Sequence, residues 1–478
     1  MANEMVSRLA QTTPKSARFG PLTVVQGLAR LAVVTALAST LMTGAATAES
    51  LIDALASAYS TNPTLLAQRA ALRVLDESVS NAVAGWRPTV SVSASAGQKR
   101  TNTSVTPGRT FQPQSLSFSL SQNLYRGGRT VAGVRKAEFN VLAGRETLRN
   151  VEQTVLLSTV RAYLNVLRDR ALVQLNEGNV SVLGRQLDAT RDQFEVGEIT
   201  RTNVSQAEAR LSRAISDLIQ AEGNLESSQS AYEALVGHSP DALERVPFIE
   251  NMPATLDQAI SVALERNPSL RAATNSERAS AFDVAQKRGS ILPTLKISGD
   301  LSHSEEASSA TSESDSASIT ATLSIPLYQS GSEYSDVRKS LQTNNQKRIQ
   351  VEESRRSVIE DVTQAWERLS TASARIRSRA DEVAAAEIAL EGVRQEAEVG
   401  SRTVLDVLNA EQELLDARVS LVSGERDEYV AAFELRSAIG RLSAEEMLLP
   451  VAVYNPLSYY RQSRNRLFGT TIDQSAGE

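Results

Sequence analysis

Val399-Gly400-Ser401-Arg402-Thr403-Val404-Leu405-Asp406-Val407-Leu408-Asn409-Ala410-Glu411 is the stretch on which the fold turns. It sits inside a tract, Leu327 to Leu449, that contains no proline. A proline in a helix interior costs about 3 kcal/mol, so a tract without one can host long helices. Before the stretch, Val362, Ala365, Leu369, Ala372 and Ile376 alternate spacings of three and four, as do Val383, Ala386, Leu390, Val393 and Ala397. After it the seam continues through Leu405, Leu408, Leu415, Val419, Val422, Tyr429 and Phe433. These are heptad seams of a coiled coil. Val399-Gly400 breaks the pattern, as glycine does when it ends a helix in the left-handed conformation. The tract therefore reads as two antiparallel helices joined by a tight turn.

The same design stands earlier in the chain. Val196-Gly197 falls on Val399-Gly400, Ala207-Glu208 on Ala410-Glu411, Leu124-Tyr125 on Leu327-Tyr328, Gly128 on Gly331, Tyr163 on Trp366 and Gly237 on Gly440, all at an offset of 203. Nearer the start, Asn62-Pro63 falls on Asn267-Pro268 and Pro88 on Pro293, at an offset of 205. So many special residues at constant spacing mark one unit written twice. A first proline-free tract runs from Gln114 to Ser239. A helix over Val131 to Phe194 within it would be roughly 95 Å long at 1.5 Å per residue.

Between the helices the period changes to two. Leu116, Phe118 and Leu120 alternate with Ser115, Ser117, Ser119 and Ser121, and Ile319, Ala321, Leu323 and Ile325 with Thr320, Thr322 and Ser324. Val90, Val92, Ala94 and Ala96 alternate with serines, and Leu295, Ile297, Gly299 and Leu301 do so less strongly. Each segment has the length of a tilted transmembrane β-strand, with one apolar and one polar face. The plainer alternative is a pair of soluble hairpins packed on the helices. The first two strands pair through Lys99–Pro113. The acidic, serine-rich connection His303 to Ser316 reads as a solvated loop. Four strands fall short of the roughly eight that close a small barrel. An open sheet in lipid leaves edge groups unsatisfied, at several kcal/mol each. The barrel would therefore be shared between chains: two copies give a filled lumen, three an open one.

Composition narrows the function. The chain of 478 residues has no cysteine and two histidines, His238 and His303, which excludes thiol catalysis, cysteine-bound zinc and iron–sulfur clusters. No nucleophile–base pair or metal constellation stands out, so neither an enzyme, a metal nor a cofactor is expected. A formal net charge of −6 argues against a nucleic-acid partner. Arg8, Lys15, Arg18 and Arg30 precede an apolar run from Leu31 to Met42, and Ala46-Thr47-Ala48 follows. That order is a secretory signal peptide over 1–48, whose apolar run is too short to span a bilayer as a helix.

A signal peptide followed by two repeats of helix, hairpin, long helix, Val-Gly turn and long helix resembles the TolC family of outer membrane efflux proteins. The resemblance covers Glu49 to Pro450, and its most specific part is the quoted stretch, where the family's Val-Gly-x-x-Thr-x-x-Asp-Val-Leu signature stands almost in full. It implies an α+β membrane protein: a homotrimer whose 12-stranded β-barrel, four strands from each chain, lies in outer membrane lipid and continues as a coiled-coil tunnel through the periplasm. It also implies a passive route for drugs, toxic compounds or secreted proteins, as in multidrug efflux and type I secretion, driven by an inner-membrane transporter through a periplasmic adaptor protein. The different-class alternative is a secreted coiled-coil structural or adhesive protein. The expected division is a first repeat over 49–240, with its hairpin at 89–124 and turn at 196–203. A linker spans 241–255. The second repeat spans 256–440, with its hairpin at 294–327 and turn at 399–406. A strap and disordered tail occupy 441–478.

The resemblance also supplies candidate site residues. Asp406 matches an aspartate that points into the periplasmic constriction, and three copies would form a carboxylate ring. Mutual repulsion and burial are expected to raise its pKa. Asn409 stands where the family often has a second aspartate. Arg402 matches an arginine that holds the end shut against a neighbouring coil, here facing Thr202 and Asn203. The tyrosine of that lock is replaced by Ala397. The turns Val196-Gly197 and Val399-Gly400 are expected to dock the adaptor. Trp86 is a candidate for the membrane interface, and Gly127-Gly128 and Gly331 read as punctuation between strand and helix.

Overall fold

The computed structural model describes residues 48–102, 104, 108–247 and 252–471. The expected signal peptide, apart from its last residue, and the end of the expected disordered tail lie outside them. Within Glu49–Glu478, which form one unit, each repeat begins with two short helices, α1 Leu51–Thr61 and α2 Pro63–Val83 in the first, α5 Leu256–Arg266 and α6 Pro268–Arg288 in the second. A 3-10 turn and a proline then lead into the strands. These are β1 Thr89–Ala96, β2 Lys99–Thr101, β3 Arg109–Phe111 and β4 Gln114–Arg126, then β5 Thr294–Glu305 and β6 Glu313–Ser324. The long helices follow: α3 Arg129–Glu195 and α4 Arg201–Val236, then α7 Ser332–Glu398 and α8 Val404–Ala438, with α9 Ser458–Ser463 near the end. Both α3 and α7 have 67 residues, about 100 Å each.

The Asn-Pro pairs explain why each short pair of helices bends where it does. Asn62 caps α2: its Oδ1 accepts the Thr64 N–H at 3.0 Å, and proline at the first helical position loses no bond. Its Nδ2 donates to the Leu235 carbonyl at 3.1 Å, which ties the joint to the end of α4. Asn267 does the same in the second repeat, capping Ser269 at 2.9 Å and donating to Ala438 at 3.0 Å. Around the first joint, Leu55, Leu65, Leu72, Leu156 and Val160 form a buried core. Full burial of each such side chain is worth roughly 1.5–3 kcal/mol. Tyr163 is wholly buried there, its hydroxyl 2.8 and 2.7 Å from the carbonyls of Glu49 and Glu244 and free to donate to either. Its repeat partner Trp366 packs against the corresponding core of α5, α7 and α8.

The strands form one antiparallel sheet in the order β1-β4-β5-β6, with β2-β3 a separate ribbon in the first loop. The register sorts the side chains cleanly. Val92, Phe118, Leu301 and Ala317 share one cross-strand row, and Ser93, Ser117, Ser302 and Ser316 the next. The serines bond across the ladder, Ser93 to Ser117 and Ser302 to Ser316, each at 2.7 Å. The His303–Ser316 segment differs from expectation. Half of it is ladder, because His303 lies opposite Asp315 with Nδ1 2.7 Å from its carboxylate, and the strands run on to Glu305 and Glu313. No helix among the described residues is long and apolar enough to cross a membrane.

Sheet and helices meet at a close backbone crossing. A Cβ on Gly127 would lie 2.3 Å from the Gly289 carbonyl oxygen, and one on Gly289 would lie 2.5 Å from that of Gly127. Gly127 is thus more than punctuation: it lets the β4–α3 turn pass the turn before β5. Gly128, at φ +76, faces open space. Gly289→Ala should therefore sharply lower the yield of assembled protein, because backbone has to move. Gly128→Ala should cost only the left-handed strain of about 1–2 kcal/mol. Thermal unfolding of the two variants compares them, and equal losses would contradict the crossing.

The segment after α8 folds back along α2 and α3. Tyr454 donates its N–H to the Tyr59 hydroxyl at 3.0 Å, Tyr459 bonds Glu77 at 2.8 Å, and Arg464 pairs with Glu138 at 2.9 Å. Beneath it lies Asp76, fully buried, with neither carboxylate oxygen hydrogen-bonded. Burial pushes its pKa up to about 7, against the opposing pull of Arg145 and with a small push from Glu77. Arg145 stacks its guanidinium over Tyr460, Arg69 lies over the Tyr454 ring, and the charges of Arg73 and Arg69 both act on Tyr454. An acid whose pKa rises on folding is easiest to bury protonated, so stability should fall as pH rises from about 4 towards 7. Asp76→Asn should flatten that dependence and raise the melting temperature at neutral pH; an unchanged profile would refute the assignment.

Candidate functional site: the helix tips and the sheet

Both Val-Gly turns are built alike. At the end of α3, Gly197 at φ +83 sends its N–H to the Phe194 carbonyl at 3.0 Å, and Glu198 sends its own to Gln193 at 2.9 Å. At the end of α7, Gly400 at φ +78 bonds Ala397 at 3.0 Å and Ser401 bonds Glu396 at 2.9 Å. This is the Schellman pattern, which satisfies the last helical carbonyls and needs a residue at ease with positive φ. Val196 and Val399 stand at the tips, 72% and 79% exposed, an unusual degree for valine.

The restarts differ. Thr403 caps α8 and forms a reciprocal box with Asp406. The Asp406 carboxylate accepts the Thr403 N–H at 2.9 Å and its hydroxyl at 2.8 Å, while the Thr403 hydroxyl accepts the Asp406 N–H at 3.3 Å. In the first repeat Thr200 holds the cap position without a side-chain bond. Asn203, the counterpart of Asp406, donates its backbone N–H to the Thr200 carbonyl at 3.0 Å. The expected rise in the Asp406 pKa is reversed within the chain: the bonds from Thr403, and then the charge of Arg402, hold it below the ordinary aspartate range. Repulsion between copies would have to overcome these bonds before the carboxylate took up a proton.

Arg402 also differs from expectation. Its Nε donates to Glu396 at 2.8 Å, across its own turn, and it does not reach Thr202 or Asn203. Glu396 raises its pKa through that bond and its charge. Asn409 accepts a bond from Arg210 of α4 at 2.7 Å. Arg210 escaped the sequence reading: in sequence it lies two turns of helix beyond the first Val-Gly turn, and nothing there points to Asn409, 199 residues on. Beside it Leu408 is buried with Leu183, Leu187, Ala207 and Ala214, so the tip of α8 rests on the first helix pair. Asp406, two residues from each of Val404 and Leu408, projects away from that contact, as 100° per residue requires. A turn above each tip, Arg191 pairs with Glu208 at 2.8 Å and Arg394 pairs with Glu411. These are equivalent positions in the two repeats, where Arg191 falls on Arg394 and Glu208 on Glu411 at the offset of 203.

Long paired helices with capped free tips, carrying at their other end a sheet with an apolar face and a serine face, define an outer-membrane channel and its periplasmic tunnel. The chain belongs to the outer membrane efflux protein family, whose model matches residues 54–238 and 259–441. It is 35% identical to the outer membrane efflux protein BepC of Brucella suis biovar 1 over 92% of this chain and 96% of that one. It is 26% identical to the outer membrane protein TolC of Vibrio cholerae over 85% of this chain and 94% of the other. The solved structure of VceC from Vibrio cholerae has the same fold, with a TM-score of 0.72 at 20% identity, over 82% of this chain and 96% of that one.

The box makes a testable claim. A carboxylate whose pKa is depressed by folding supports the cap above that pKa and releases it as pH falls through it. Hydrogen exchange at Thr403 and Asp406, whose N–H groups the box holds, should therefore stay slowed relative to the unfolded chain until pH drops below the ordinary aspartate value of 3.8. Asp406→Asn should speed exchange at neutral pH, whereas Asn203→Ala should change the first tip little. Fast exchange in the unmodified chain at neutral pH would refute the box.

Proposed function

We propose that three copies of this chain form a passive export duct through the outer membrane and periplasm. The observation that carries this reading is the sheet itself. Its faces are sorted into lipid-facing and water-facing rows, and β1 and β6 each leave one edge unpaired. In lipid those edges find partners only in further copies. Three copies would supply twelve strands and a wet lumen, which suits the serine face. The duct would have no catalytic role and no cofactor. Its inner-membrane transporter and periplasmic adaptor supply energy and cargo, and efflux is the cargo class suggested by the name of its relative BepC. The exposed Val196-Gly197 and Val399-Gly400 turns are the surfaces offered to the adaptor. The Asp406 carboxylates ring the periplasmic constriction, a usual device for cation preference. Arg402 stiffens the second turn through Glu396, while Thr202, Asn203 and Asn409 line the same end without charge. The two repeats, 49–240 and 256–440, would alternate around the axis, with 241–255 joining them and 441–478 lying outside.

Repeat symmetry gives this reading a sharp test. Within the chain, β4 pairs with β5 so that Ser121 faces Ser298. Carrying that register to the free edges by the offsets of 203 and 205 sets Ser324 opposite Ser93 of the neighbouring copy. Both then lie on the serine face. Opposed antiparallel residues have Cα atoms about 4.5–5.5 Å apart, within reach of a disulfide. The natural chain has no cysteine. Ser93→Cys with Ser324→Cys should therefore give a covalent trimer on a non-reducing gel. Ser93→Cys with Leu323→Cys, one residue out of step, should not. A covalent dimer as the end product would overturn the threefold stoichiometry, and no cross-link would overturn the shared barrel.

A further inference from the structure

Where the sheet gives way to the tunnel, the chain holds a cavity of about 810 Å³ between α2, α3 and α6. Its charges are lopsided. Arg126, Arg129, Lys136 and Lys287 line it, against Asp283. Lys136 is matched by Asp283 at 2.7 Å, and Lys287 by Asp336 at 3.1 Å. Arg126 and Arg129 are matched by no carboxylate among the described residues. The bond that joins them runs from Arg129 Nε to the Arg126 carbonyl at 3.2 Å. Both partly buried side chains thus line one cavity, near enough for the Arg126 charge to act on Arg129. Burial and the neighbouring Arg126 both press the Arg129 pKa downward. An arginine remains charged through such a shift, so the pair is an uncompensated double cation.

Two independent directions place this cavity on the lumen side. Arg126 closes β4 opposite Thr294, and Thr294 shares the serine face of β5 with Lys296 and Ser298. On α3, Arg129, Gly133, Lys136 and Asn140 fall on the opposite side of the helix from Glu138 and Arg145. Those two residues meet the C-terminal segment through Arg464 and Tyr460. The C-terminal segment therefore covers one side of α3, and the cavity lies on the other, which is the lumen side if that segment lies outside the tunnel.

We propose that Arg126 and Arg129 form an anion-binding station in the lumen at the base of the barrel, which takes the carboxylate, sulfate or phosphate group of a solute in transit. Paired guanidiniums suit such groups, since each presents parallel N–H donors to two oxygens. Repeated around the proposed trimer, the pairs make a ring of arginines, the arrangement that favours anions in pores. The station rests on the reading of the chain as a trimeric duct and adds a solute class to it. It lies a long helix away from the acidic tip, so a solute would meet charges of opposite sign at the two ends of the tunnel.

The test is conductance of the purified trimer in a bilayer of zwitterionic lipid, which removes headgroup charge as a source of the effect. Inositol hexakisphosphate, a compact polyanion, is added on the barrel side, where it need not pass the helix tips. It should block the unmodified channel reversibly. Arg126→Gln with Arg129→Gln should raise the blocking concentration at least about tenfold, as loss of charge-assisted hydrogen bonds implies. Arg126→Lys with Arg129→Lys should restore much of the block. Asp283→Asn, which frees Lys136, should tighten it, and this variant supplies a readout should the glutamine pair not assemble. Block unchanged by the glutamine pair, or unmoved by Asp283→Asn, would overturn the station. No conductance from an assembled unmodified trimer would instead contradict the duct.

Discussion

Backbone groups on the edge of a sheet have no water to bond inside a membrane, and almost everything in this chain is arranged around that constraint. The four-stranded sheet has open edges along β1 and β6, each lined with groups that cost several kcal/mol apiece if left bare in hydrocarbon. Closing them requires further copies, and closure in turn requires a register in which every apolar row meets an apolar row. The repeat supplies that register. β4 meets β5 inside the chain, and the equivalent strands β6 and β1 are left to meet in the same way between chains. The serine rows follow from the same demand: once the outer face is committed to lipid, the alternate residues face a lumen, where small hydroxyl side chains bond each other across the ladder.

The helices extend the lumen by a different economy of hydrogen bonds. A helix satisfies its own backbone except at its ends, so the work falls on joints and tips. Asn62 and Asn267 close the joints by capping one helix and donating to the end of another. The left-handed glycines close the tips. The crossing of Gly127 and Gly289 is the place where the two schemes meet, and it tolerates no side chain on either partner. In the second repeat the residue matching Gly127 is Ser330, held at φ +56. The crossing is therefore particular to the junction inside the chain.

Charge divides along the tunnel. At the tips, Asp406 is held ionised by its own helix cap, and Arg402 is occupied by Glu396. Arg210 meets the amide of Asn409 instead of a carboxylate. Near the barrel, Arg126 and Arg129 line one cavity with no carboxylate partner among the described residues. Between them the paired charges Arg191–Glu208 and Arg394–Glu411 hold the antiparallel helices in register.

The sequence by itself determined the repeat, the long helices, the Val-Gly turns and the two-sided strands, because each rests on local chemistry: proline exclusion, heptad and two-residue periods, and glycine at positive φ. It also carried the family motif from Val399 to Glu411. The tertiary structure decided what depends on residues distant in sequence. His303 and Asp315 lengthen a hairpin that composition alone made a loop, because a cross-strand pair appears only once the register is set. Arg402 turned to Glu396, and Arg210 reached Asn409 from 199 residues away. The pKa of Asp406 was decided by the backbone N–H and then the hydroxyl of Thr403, three residues back, contacts its sequence permitted but that only the cap geometry brought together. Gly127 and Gly289, and the arginine pair beside them, came together because strand order and helix packing bring the two repeats to one junction, which no local period records.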